Sequence, residues 1–146
     1  GSVKKIIALR AHDLEAKHST IELQGEEAIA PVLADPFRTK LVIENLVDNA
    51  IKYSREHSAI VITLSQEDDR VMFEIKDKGV GIPAHEHKNI FQKFFRATNE
   101  FSYQTKGLGV GLYLVKFIIE ASGGAIGFES QEGVGSRFWF SLPVFK

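Results

Sequence analysis

The sequence predicts an α+β fold, a two-layer sandwich in which about three helices cover one face of a mixed, mostly antiparallel sheet. Three observations point to it. A long amphipathic helix follows the helix-start signal Asp35-Pro36. Runs with a period of two come as hairpin pairs, at 59–66 with 70–76 and at 125–130 with 136–142. The order of elements is helix, strands, helix, hairpin, lid, helix, hairpin, without the alternation of a βαβ protein.

Each element has a local reason. Val3, Ile6, Ile7 and Leu14 are spaced for a helical lead-in between charges over 3–17. Ile21 and Leu23 alternate with polar neighbours, which reads as a short strand, and 29–33 suggests a second extended piece after the Gly25 turn. Asp35 can cap free N–H groups and Pro36 loses nothing at the first helical position, so a helix should run from there to about Tyr53. Glu67-Asp68-Asp69 turns the first hairpin. Gly79, Gly81 and Pro83 break the pattern, and about thirty residues follow with only a short aromatic helix near Asn89 to Arg96. So long an irregular stretch in a compact domain suggests a lid. A second helix, 110–121, is apolar on most sides and should be well buried until Gly123-Gly124 stops it. Gly133-Val134-Gly135 turns the last hairpin.

Composition narrows the classes. With 146 residues, 44% hydrophobic and 25% charged, the chain has the makings of one globular domain. A net charge of −1 offers no bulk attraction to nucleic acid or to a membrane surface. No apolar run reaches the roughly 20 residues of a membrane span, and the absence of cysteine excludes disulfides and thiolate metal sites. Gly1-Ser2 has the look of a cloning scar, and the chain reads as a piece of a longer protein, with 1–18 as tag remnant and lead-in and 19–146 as the functional domain.

Four stretches carry chemistry. On the helix 36–53, Ile43, Leu46, Val47, Ala50 and Ile51 form an apolar stripe, while Asn45, Asn49 and Lys52 cluster on nearly the opposite side. Two amide oxygens and an ammonium suit a hard cation and a phosphate, although a merely solvated face has the same letters. Asp77-Lys78-Gly79-Val80-Gly81-Ile82 sits where a strand leaves the sheet, so that a carboxylate can meet an N–H edge while glycines let the backbone come close. A plain turn would read alike. Phe91, Phe94 and Phe95 suggest core packing, with Arg96 free to pair with a phosphate. Gly107-Leu108-Gly109-Val110-Gly111 opens a helix whose free N–H groups could hold phosphate. That cluster is neither a Walker loop, lacking Gly-Lys-Ser/Thr, nor a Rossmann fingerprint, since Leu112 stands at the third glycine. His85 and His87 lack metal-site context, and His12, His18 and His57 show no partner pattern.

Taken in order, Asn45-x3-Asn49-x2-Lys52-Tyr53, Asp77-x-Gly79-x-Gly81, Phe91-x2-Phe94 and Gly107-x-Gly109-x-Gly111 resemble the N, G1, F and G2 boxes of sensor histidine kinases, and 133–138 resembles the last glycine box. The resemblance spans about 21–142 and implies the Bergerat ATP-binding sandwich of the GHKL superfamily. It further implies ATP and Mg²⁺ as cofactors. Asn49 would be the metal ligand with Asn45 beside it, Lys52 would neutralise phosphate charge, and Tyr53, Ile82 and Phe94 would line the nucleotide site. Asp77 would accept from the adenine amino group, with Gly79 and Gly81 turning beside the base. Gly107, Leu108, Gly109, Val110, Gly111 and Leu112 would form the lid and its hinge. Asn45, Lys52 and Arg96 would serve the phosphoryl transfer. Leu108 departs from the Ser or Thr frequent there, which removes a hydroxyl contact.

The resemblance also implies partners: a histidine-bearing dimerisation domain of the same parent, and a cognate response regulator. No histidine here has the acceptor's setting, so the chain should be the isolated catalytic domain, monomeric, unable to phosphorylate itself, and cytoplasmic without membrane contact of its own. Two other functions share these letters. A GHKL-type ATPase would carry a Glu where Asn45 stands; Glu44 is one residue, about 100°, around the helix. A regulatory docking module would keep the fold without kinase activity.

Overall fold

The computed structural model describes residues 2–25, 35–91 and 111–144. Its sheet has five strands in the order β1-β2-β3-β5-β4. These are β1 (Thr20–Gln24), β2 (Ala59–Glu67), β3 (Arg70–Asp77), β4 (Ala125–Gln131) and β5 (Gly135–Pro143). β1 runs parallel to β2, and every other pairing is antiparallel. Four α-helices stand among the described residues: α1 (Ser2–Leu9), α2 (Ala11–Ala16), α3 (Pro36–Tyr53) and α4 (Gly111–Ala121). The lead-in therefore forms two helices, divided at Arg10, whose backbone leaves the helical region (φ −104°, ψ 7°). The expected extended piece at 29–33 and most of the aromatic helix lie outside the described residues; 84–89 forms a 3₁₀ helix.

α3 begins as its letters predict. The Asp35 carboxylate accepts from the N–H groups of Phe37 (2.8 Å) and Arg38 (3.3 Å), with Pro36 at the first helical position. Its buried face is Val42, Ile43, Leu46, Val47, Ala50, Ile51 and Tyr53. That stripe meets Ile60 and Ile62 of β2, Phe73 and Ile75 of β3, and Phe138, Phe140 and Leu142 of β5 in one core. Phe73 and Phe140, opposite each other in register, stack at 4.9 Å. Val3, Ile6 and Leu14 bring α1 and α2 into the same core.

α4 is less enclosed than its apolar sequence suggests. Leu112, Val115, Ile118 and Ile119 are buried, but Tyr113, Leu114 and Phe117 are exposed. A helix in a single layer over a sheet has only one side to bury, however apolar the other side is.

Alternation along β3 places the site. Val71, Phe73, Ile75 and Asp77 are all buried on the helix-facing side, because side chains two apart share a face. The last member of an apolar row is thus a carboxylate beneath the end of α3.

Candidate functional site

A narrow cleft opens between the carboxyl-terminal half of α3 and the strands below it. Asn49, Ala50 and Tyr53 line one wall, Ile75 and Asp77 the other, and Gly81, Ser136 and Phe138 close it, with Leu46 behind. The register explains the floor: Ile75 pairs with Phe138 and Asp77 with Ser136.

Asp77 is buried, and removal from water pushes its carboxyl up to about 6, against the backbone N–H groups of Ser136 and Gly79 and the charge of Lys17. Such a group is a strong acceptor held ready in an apolar cleft. Its loop is built tightly. A Cβ at Gly79 would lie 2.1 Å from the Tyr53 carbonyl oxygen, and Gly81 has φ +67° with the Gln131 carbonyl oxygen 2.1 Å from the Cβ position. Only glycine fits either place. Hydrogen bonds from Val80 N–H to Tyr53 O (3.2 Å) and from Arg55 N–H to Lys78 O (3.3 Å) stitch this loop to the end of α3.

The amides of α3 flank the buried stripe and do not face fully away from it. Asn45 and Asn49 are half-buried, because Val42 and Tyr53 widen the stripe toward them; Lys52 is exposed. Asn45 donates from Nδ2 to Leu41 O at 2.9 Å. Its Oδ1 lies 3.2 Å from where a Cβ of Gly111 would stand, so the glycine lets the start of α4 come up to α3. The Asn49 side chain has no hydrogen bond among the described residues. Glu44 is turned elsewhere, 3.0 Å from Arg10.

The structure thus brings Asn49, Tyr53, Asp77 and Gly81 around one cleft, with Gly79 beneath and Asn45 and Gly111 together one helical turn away. Ile82 and Leu112 place their side chains in the core; Ile82 contributes its N–H to Ser130 Oγ at 2.8 Å. Phe94, Arg96, Gly107, Leu108, Gly109 and Val110 lie outside the described residues. Leu46, Ala50, Ile75, Ser136 and Phe138 escaped the sequence reading as site residues. Strand alternation marks Ile75 and Phe138 as core, and only the β3–β5 pairing reveals that they floor a cleft.

The chemistry of the residues present suits an adenine nucleotide: a buried acceptor among apolar neighbours, and the amides of Asn49 and, a turn away, Asn45, whose oxygens make no hydrogen bond among the described residues. Comparison with known proteins agrees. Residues 34–146 match the family of histidine kinase-, DNA gyrase B-, and HSP90-like ATPases. The sensor histidine kinase GacS of Pseudomonas protegens is 35% identical over 145 residues, 97% of this chain and 16% of the relative. The circadian input-output histidine kinase CikA of Synechococcus elongatus is 35% identical over 123 residues, 84% of this chain and 16% of the relative. This chain therefore spans about a sixth of the length of these relatives. Among solved structures, the nucleotide-free catalytic domain of histidine kinase ThkA superposes with TM-score 0.84 at 29% identity, covering 98% of this chain and 92% of that one. Full-length ShkA in complex with AMPPNP gives TM-score 0.84 at 29% identity, covering 99% of this chain and 29% of that one.

Proposed function

As this chain belongs to the histidine kinase-, DNA gyrase B-, and HSP90-like ATPase family, as a catalytic ATP-binding domain of the sensor histidine kinase kind, we propose that it holds Mg-ATP and directs the γ-phosphoryl group to a histidine on a separate dimerisation domain. A cognate response regulator would receive the group next, and the reaction would take place in the cytoplasm on a monomeric catalytic unit. The observation that carries this reading is that Asn49 of α3 and Asp77 of β3 line one cleft. The AMPPNP held by ShkA supports the same class of ligand.

In this reading the ionised Asp77 carboxylate accepts from the exocyclic amine of adenine and repels the carbonyl that guanine presents there. Tyr53, Ile75 and Phe138 pack the base and keep water from it. Asn49 would offer its oxygen to Mg²⁺, with Asn45, whose Oδ1 has no hydrogen bond among the described residues, beside it. Lys52 would neutralise phosphate charge, with Arg96 in the same role that the family resemblance implies. Bound Mg²⁺ supplies charge stabilisation for a transfer that needs little beyond positioning. Water is not activated, because Glu44 lies on another face of α3, beside Arg10.

Calorimetric titration with ATP, with and without Mg²⁺, tests this while phosphate release is followed in the same samples. The expected result is Mg²⁺-dependent binding without sustained release, and labelling of an added histidine-bearing domain. Sustained turnover would favour an ATPase, and absence of binding a docking module.

A further inference from the structure

A helix leaves its last carbonyl groups without partners of its own, and a buried end must find donors for them elsewhere. At the end of α3 every one is supplied. Ala50 O accepts from Ser54 N–H at 3.0 Å and Tyr53 O from Val80 N–H at 3.2 Å, the latter in the loop after Asp77. Lys17 Nζ donates to three more, Ile51 O (2.7 Å), Lys52 O (2.7 Å) and Ser54 O (3.0 Å), and Ile51 O accepts from Ser54 Oγ (3.2 Å) as well. All three ammonium protons are thereby used, in a geometry that favours the charged form against its burial.

Lys17 is itself fixed. It terminates α2 with its N–H on Leu14 O at 3.2 Å, and its carbonyl accepts from His57 N–H at 3.0 Å. Burial pulls its ammonium below the ordinary lysine value, opposed by the charges of Glu56 and then Asp77, and its own charge favours the ionised form of Asp77. One ammonium thus joins the α2 turn, the end of the helix that bears the phosphate-side residues, and the strand end that bears the adenine acceptor. Arg10 grips the same helix one to two turns earlier, through Glu44 (3.0 Å) and Asp48 (2.6 Å). The α1–α2 segment therefore holds α3 at two points.

We propose that Lys17 is a positioning residue for nucleotide binding, fixing the carboxyl end of α3 against the Asp77–Gly81 loop so that Asn45, Asn49 and Lys52 stand at the right reach from the adenine acceptor. The inference rests on the ATP reading above. It makes the α1–α2 segment a control point, because any shift of that segment is carried to the phosphate-side residues through Lys17 and Arg10.

The test measures Mg-ATP affinity by calorimetry and thermal stability for wild type, Lys17→Met, Lys17→Gln and Lys17→Arg. Val71→Ala, at the far end of β3, serves as a destabilised control. Lys17→Met is expected to weaken binding roughly tenfold, Lys17→Arg to restore most of it, and Lys17→Gln to fall between. Val71→Ala should bind as wild type does, at a temperature where all are folded. If Lys17→Met does not fold, the order wild type, Arg, Gln still decides. Wild type that binds, with folded variants whose affinity ignores residue 17 or merely follows stability, overturns the proposal. Wild type that fails to bind Mg-ATP overturns the ATP reading, and this inference with it.

Discussion

Arg10 and Glu44 are joined at 3.0 Å, on a face of α3 that does not line the cleft beside Asn49. The guanidinium also reaches Asp48 at 2.6 Å, one turn along α3. Two carboxylates four residues apart repel unless a cation lies between them. Arg10→Gln should therefore cost about 1 kcal/mol of stability, the scale of a partly exposed network, and less at high salt. Phosphate release should stay at background even with Glu44 set free, because its place on the helix is unchanged. Denaturant melts at two salt concentrations and a phosphate-release assay check both halves.

Asp77 makes stability and affinity depend on pH in opposite directions. Its carboxyl rests at about 6 in the fold, above the ordinary 3.8 of an exposed aspartate. The folded state therefore carries a penalty above pH 6, which fades as the pH falls through 6 toward 4. That penalty is about 3 kcal/mol at full ionisation. Adenine nucleotide, which needs the carboxylate as acceptor, should bind about tenfold more weakly at pH 5 than at neutral pH. In Asp77→Asn the stability difference from wild type should shift toward the variant as the pH rises from 4 to 8. The same variant should lose most ATP binding and its preference over GTP. Paired melts and titrations across that range give both slopes, and parallel slopes would sink the assignment.

Gly79 is where the adenine-side loop touches α3. An added Cβ would stand 2.1 Å from the Tyr53 carbonyl oxygen and 2.8 Å from Asp77 Oδ1. The first contact is backbone and cannot rotate away, so Gly79→Ala must push the loop off the helix end. A loss of roughly 2–4 kcal/mol is expected, with nucleotide affinity falling in the same variant. Gly133→Ala is the comparison, since its Cβ would meet nothing within 4 Å. Its φ of +81° still strains an alanine, but by only about 1–2 kcal/mol. Thermal melts of the two variants separate the steric effect from the conformational one.

These contrasts show which parts of the structure are legible in the letters. Asp35-Pro36 marks the start of α3 because capping is local chemistry, and the hairpins show because alternation is a property of a few neighbours. The break at Arg10 and the exposure of Leu114 and Phe117 depend on what each helix packs against, which no local pattern records. The site divides in the same way. Asn45, Asn49, Lys52 and Asp77 stand out as polar groups where the pattern calls for a reason. Ser136 and Phe138 join them only through the β3–β5 register, and Lys17 only through a fold that brings it to a helix end 34 to 37 residues away.

Asn49 separates ligand binding from folding most cleanly. Its amide lines the cleft but makes no hydrogen bond among the described residues, while its neighbour Asn45 spends Nδ2 on Leu41 O. A half-buried polar side chain without a hydrogen bond among the described residues contributes little to stability. Asn49→Ala should leave the melting temperature within about 2 °C of wild type, a change of less than ~0.5 kcal/mol. If its oxygen is the metal ligand, the variant should lose the gain in ATP affinity that Mg²⁺ confers and keep the metal-free affinity, which Asp77 and the apolar walls supply. Titrations with and without Mg²⁺ on the same preparation measure that difference. A variant that still gains affinity from Mg²⁺ as wild type does would move the metal to Asn45 or to the nucleotide alone.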